Sequence, residues 1–238
     1  MTTASIYALS AQTVLGRSID VIADNIANAS TPGYKRAQLQ FSDYLSKVGT
    51  DRAAKKNDIN RDFVEGNLTH TGNPLDVAIK GEGFFAVKTP QGVLYTRGGR
   101  FSIDAEGNLV TANGDKVLSD SGGPITFAPT DRDIAIDPRG RILANGGEVS
   151  TIKLVRFADP QALERAGNGL YFAKGQKALA VEKKDTQLVQ GAIEESNVVP
   201  ILELTQMMSA MRSFESAQRV SQSEHDRIRR TIQILSQT

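Results

Sequence analysis

The chain has 238 residues, with 28 Lys and Arg against 27 Asp and Glu, a formal charge of +1 and no cysteine. So even a balance argues against nucleic acid as the main partner, since phosphate binding normally draws on a basic excess. The missing cysteine excludes disulfides and thiolate metal sites. At this length the chain holds one large domain or two small ones with a real core, and no stretch approaches the apolar length of a membrane span.

The N-terminus, MTTASIYALSAQTVLGRSID, has no basic segment followed by an uninterrupted apolar run. It does not read as a Sec-type signal peptide, so the expectation is residence in the cytoplasm or exit by a route that cleaves no signal. From about Ala4 to Ala29 there is no Pro and one Gly, Gly16. Leu15, Ile19, Ile22, Ile26 and Ala29 recur at spacings of four and three, a helical stripe of coiled-coil type. It ends at Ser30-Thr-Pro-Gly-Tyr, where Pro32 disfavours helix at Thr31 and Gly33 supplies a turn. The last turn of this helix holds Asp24, Asn25 and Asn28, which suit a helix interior poorly because their side chains compete for backbone hydrogen bonds.

Residues 35–65 carry mixed charges and few apolar side chains, which fits a loop, a short hairpin or a partly mobile segment. Residues 66–190 hold most of the glycines and alternate with period two between turn signals, the pattern of a mainly antiparallel β domain. Leu75 to Thr89 reads as two short strands around Gly81 and Gly83. The segment 101–109, FSIDAEGNL, is echoed by 134–142, IAIDPRGRI. In each, Asp opens a turn and Gly closes it three residues later, the chemistry of a type I turn in a hairpin. Ile103 sits at an alternating position that predicts a core residue. The C-terminal segment, 191–238, contains a helix from Pro200, a residue suited to a helix start, to about Ser236. Ile201, Leu204, Met208, Met211 and Phe214 form one stripe on it, and Ile228, Ile232 and Leu235 another, with a weaker stretch at Ala217, Val220 and Ser221 between them. A helix of that length extends about 54 Å at about 1.5 Å per residue, longer than the roughly 45 Å breadth of a compact globule of this size.

A search for chemistry finds no catalytic, cofactor or metal site to expect. Two histidines, His70 and His225, lie far apart. Gly81 and Gly83 have dinucleotide spacing, but Ala86 follows where the third Gly belongs and no helix pattern begins, so they read as a bulge or turn. Asp104, Glu106 and Asp137 read as exposed turn formers rather than paired acids. Arg227, Arg229 and Arg230 read as a solvated helix face, mixed with Glu224 and Asp226. The fold expected is therefore α+β, with residues 1–34 and 191–238 pairing as a coiled-coil-like unit around a β domain at 66–190. A lone helix pair covers one stripe per helix, so further copies or relatives are expected to cover the rest.

Three stretches carry a resemblance. DNIANASTPGYKR (24–36) resembles the N-terminal signature of flagellar rod and hook proteins, with Asp24 and Pro32 as mild departures. GNPLDVAIKGEGFFAV (72–87) and YTRGGRFSIDAEGNLVT (95–111) resemble the β core of that family. QGAIEESNV (190–198) followed by RSFES (212–216) resembles its C-terminal signature. The resemblance implies a structural subunit of the flagellar basal-body rod, most similar to proximal-rod members, with distal-rod or hook-type axial proteins as the near alternative. It implies other rod proteins, copies of itself and the flagellar type III export apparatus as partners, and a place in the rod crossing the periplasm. It also implies that Asn25 and Asn28 are buried among neighbouring subunits, and that the stripes named above are assembly surface. A secreted β-domain binding module and a carbohydrate-active enzyme are the readings from other classes.

Overall fold

The computed structural model describes residues 3–40, 59–181 and 186–235. Most of the segment 35–65 and the side chains of Ile232 and Leu235 lie outside the described residues. Helix α1 spans Thr3–Ala27 and helix α2 spans Pro200–Leu235. They flank a mainly antiparallel β region. The chain divides into two compact units, a helical unit with α1, α2 and residues 37–62, and a β unit made of Asn28–Arg36 and Phe63–Asn197.

In the helical unit α1 packs on α2. Asn25 hydrogen-bonds Glu203, and Gly16 lies against the Phe214 ring, so the two helices run antiparallel. Strands β1 (Ala37–Leu39) and β2 (Ile59–Arg61) pair antiparallel in the same unit. The packed seam of α2 is read from burial: Glu203, Met207, Ala210, Phe214, Ala217, Ser221, Glu224 and Ile228 are its covered or half-covered residues. They recur at four and three, the coiled-coil spacing.

Most of the expected stripe lies on the open side of this seam. Ile201, Leu204, Met208 and Met211 are exposed, at 68 %, 45 %, 52 % and 48 %, while Phe214 and Ile228 do join the seam. Helix α2 carries two stripes one residue apart. The packed one mixes Ala210, Ala217 and Ser221 with the larger Met207, Phe214 and Ile228, and the open one carries Ile201, Leu204, Met208 and Met211. On α1 the expected Ile22 is buried, and Leu15, Ile19 and Ile26 are half-buried beside Val14 and Asn25, which are buried.

The β unit is built around strand β5 (Phe84–Thr89), which pairs with β6 (Gly92–Thr96), β9 (Lys116–Val117) and β13 (Leu154–Arg156) in a nine-stranded sheet of the described residues. Successive side chains on a strand point to opposite faces. Phe85 and Val87 therefore enter the main core with Ile79, Leu94, Leu109, Ile142 and Leu188, while Phe84 enters a second cluster with Phe157, Leu163 and Tyr171. A strand buried on both faces reads as a continuous apolar run, which is why Phe-Phe-Ala-Val does not alternate.

The echoed segments form equivalent hairpins. Gly107 N–H donates to Asp104 O at 3.0 Å, and Gly140 N–H to Asp137 O at 2.9 Å. Both glycines have positive φ, 84° and 86°. Each carboxylate then closes its own turn: Asp104 accepts from Asn108, and Asp137 accepts from Arg139 N, Arg141 N and Arg141 Nε. Ile103, expected in the core, is 40 % exposed. It ends β7 (Phe101–Ile103), the terminal strand of the sheet, where the core no longer extends, and Phe101 is the buried residue of that strand.

Candidate functional site

The motif that closes α1 builds a turn first. Thr31 N–H donates to Asn28 O at 3.1 Å, Thr31 Oγ1 reaches Asn28 Oδ1, and Tyr34 N–H donates to Thr31 O. Gly33, at φ 69°, turns its N–H onto the backbone oxygen of Glu194 at 2.8 Å. A Cβ there would stand 2.5 Å from both Arg97 C and Gly98 N. Only glycine allows this approach, so Gly33→Ala is expected to lower the stability of the β unit by about 2–5 kcal/mol. Gly72→Ala is the control: φ is 73° there, but nothing lies within 4 Å of the added Cβ. Its cost is expected near 1 kcal/mol from the left-handed backbone alone. Urea unfolding of both variants checks this, and equal costs would remove the close-approach argument.

Beyond Gly33 the side chain of Lys35, closed to solvent, meets the equally closed Glu194. Lys35 Nζ donates to Glu194 Oε1 and to Val64 O, the latter at 2.7 Å. Glu194 Oε1 also accepts from Gly66 N–H at 3.0 Å. Glu194 Oε2 accepts from Arg97 Nε at 2.9 Å and lies 2.9 Å from Arg97 Nη2. Arg97 Nη1 donates to Gly81 O at 2.9 Å and Gly83 O at 3.0 Å. Gly81 and Gly83 thus form the expected turn, and their positive φ angles, 103° and 145°, aim both carbonyls at one guanidinium. Burial pulls the Lys35 ammonium below its ordinary pKa, and the adjacent Glu194 carboxylate pushes back. One carboxylate is thus shared by two buried cations. Such a network contributes orientation more than net stability, because desolvation offsets much of the attraction.

Asn197 adds to the joint. Its Oδ1 accepts from Arg36 N–H at 2.7 Å, and its Nδ2 donates to Val64 O at 3.1 Å. Residues 33–36, 64–66 and 194–197 are therefore tied together within the β unit, and each lies within a few residues of a point where the chain leaves that unit.

Asn25, 1 % exposed, does the corresponding work in the helical unit. Its Oδ1 accepts from Ala37 N–H at 2.9 Å, and its Nδ2 donates to Ala37 O at 2.8 Å and Glu203 Oε2 at 3.0 Å. An amide offers both a donor and an acceptor, so it pairs with an extended backbone as another strand would. Glu203, equally buried, lies in the first turn of α2, where a helix favours negative charge. The awkward Asn at the end of α1 is thus explained within the chain, and Asn28 is the half-buried start of the turn.

Lys35, Arg97, Glu194, Asn197 and Glu203 were not singled out from the sequence, although the first four stand inside the quoted motifs. Among the described residues no group of His, Asp and Glu could hold a metal ion, and no helix is long and apolar enough to cross a membrane.

The described residues thus combine paired terminal helices, an antiparallel β unit and buried charges beside that unit's chain crossings. Residues 7–35 match the flagella basal body rod protein family, 78–144 the flagellar hook protein FlgE/F/G D1 domain, and 189–234 the flagellar basal body rod FlgEFG protein C-terminal region. The chain is 36 % identical to the flagellar basal-body rod protein FlgF of Mesorhizobium japonicum, over 89 % of each chain, and 36 % identical to that of Caulobacter vibrioides, over 87 % of each. It is 32 % identical to the flagellar basal-body rod protein FlgG of Agrobacterium fabrum, over 85 % of this chain and 88 % of the relative. The chain belongs to the flagellar basal-body rod protein family and is a structural subunit of the rod, assembling with other rod components.

Proposed function

We propose that the open stripe of α2 is the surface on which neighbouring axial subunits pack, and that the subunit takes a FlgF-type position in the proximal rod. The exposure of Ile201, Leu204, Met208 and Met211 on one helix face carries this reading. Covering each such side chain contributes about 1.5–3 kcal/mol, so the stripe favours a neighbour strongly once other subunits surround it. The packed seam of the same helix already holds α1, which leaves this face for a second contact. Similarity at 36 % to two FlgF proteins against 32 % to a FlgG protein supports the FlgF-type position. In this reading the chain reaches the rod through the flagellar export apparatus, and with no cysteine no disulfide obstructs passage of an unfolded chain.

The double variant Met208→Asp, Met211→Asp tests the surface. Both side chains are exposed in the single chain, so its thermal transition is expected to stay within about 0.5 kcal/mol of the parent. Purified basal bodies from cells carrying only this variant are expected to lack it. Incorporation at the parental level would overturn the reading.

A further inference from the structure

We propose that a cleft on the β unit receives a carboxylate side chain from a neighbouring axial subunit. The inference rests on the reading that the chain packs among such subunits, and adds a second contact away from α2.

The cleft has a volume of about 290 Å³ and lies between the turn after α1, the Thr96–Arg100 loop and the tips of two hairpins. Thr31, Arg100, Asn113 and Asn168 are its informative lining residues, and no Asp or Glu lines it.

Arg100 is exposed and makes no ion pair or side-chain hydrogen bond among the described residues. The side chains of Asn113 and Asn168 likewise make none there, whereas the turns beneath them are firmly held. Asn113 N–H donates to Thr111 Oγ1 and Gly114 N–H to Thr111 O. Asn168 stands at φ 50° in the tight connection between β14 (Glu164–Gly167) and β15 (Leu170–Phe172). A guanidinium with five N–H donors and two amides therefore share one cleft with no acceptor assigned to them.

A carboxylate answers this donor surplus, since it accepts the guanidinium fork through two oxygens and leaves lone pairs for amide N–H groups. The volume falls at the lower limit of ligand clefts, about 300–1,000 Å³, and suits one or two side chains. A single cation argues against a polyanion, whose binding draws on many. Rigid turns keep the ordering cost of docking low, and a polar contact of this kind sets orientation more than strength.

The test is made in cells that assemble flagella, with the full chain. A photo-reactive phenylalanine analogue in place of Asn113 is expected to cross-link to another axial subunit at a segment containing Asp or Glu. Arg100→Glu is expected to lower the amount of chain in purified basal bodies at least about tenfold, because it sets like charges against each other. Its thermal transition should not move. Reversing the cross-linked acid to Lys should restore incorporation. Arg100→Glu entering rods at the parental level, or adducts only with non-axial proteins, would overturn the proposal. These outcomes are separate from the α2 test: if the Met208, Met211 variant enters rods while Arg100→Glu does not, the stripe reading fails and the cleft stands.

Discussion

Glu194→Ala is expected to lower the stability of the β unit by about 3–5 kcal/mol, since it leaves two buried cations without their shared anion. For a unit of this size that corresponds to a fall in Tm of about 10 °C. Lys35→Met should cost much less. It removes one cation, fills the same space with an apolar chain, and leaves Glu194 paired with Arg97. The asymmetry is the point of the experiment. If the three groups were an ordinary surface network, the two variants would differ by less than about 1 kcal/mol. A pH series adds an independent readout. Burial lowers the Lys35 pKa below its ordinary 10.5, with Glu194 opposing. Between the lowered value and 10.5 the unfolded chain holds a proton that the folded chain has released. Stability owed to this residue therefore rises with pH across that window. The rise should vanish in Lys35→Met, and a rise that persists would mean that another group causes it.

Ile22→Asp is expected to abolish incorporation into the rod, and with it motility, while the β unit keeps its transition. Ile22 is buried in the helical unit, so the substitution drives an unpaired charge into an apolar contact. Phe101→Asp makes the contrast. Phe101 is 3 % exposed and stacks edge-on against Phe85, with centroids 5.1 Å apart. Its replacement should unfold the β unit itself. Calorimetry on both variants, with a count of basal-body incorporation, separates assembly from folding. Should Ile22→Asp depress the β transition as far as Phe101→Asp does, the two units share one core and their separate roles cannot be maintained.

The legible parts of this fold were those governed by neighbours in sequence. Pro32 and Gly33 mark the end of α1, Pro200 marks the start of α2, and the paired Asp and Gly residues mark two hairpins of one kind. Apolar size alone does not separate the two stripes of α2: Met207 and Phe214 lie in the seam, while Met208 and Met211 lie on the open face. The ionic joint was illegible for another reason. Lys35 and Glu194 are 159 positions apart, and Arg97 is 97 positions from Glu194. No local periodicity reports a pairing of that range. Asn25 did give a local signal, as an amide in a poor place, but its partner Glu203 lies 178 positions away.

The position of Glu194 near the end of the chain has a bearing on timing. Strands β3 (Leu68–His70) and β4 (Val77–Lys80) form early in the sequence, yet their partners are β18 (Ala192–Glu194) and β17 (Gln187–Gln190). A polypeptide delivered N-terminus first holds Lys35 and Arg97 ready and has no anion to set between them. Contacts of such long sequence separation close slowly and late. The β unit therefore stays incomplete until just over four-fifths of these 238 residues are available, and α2 follows at once. Completion of the β unit and the appearance of α2 are thereby brought into step: a partly delivered chain stays soft, and one that has gained residues 187–194 can set.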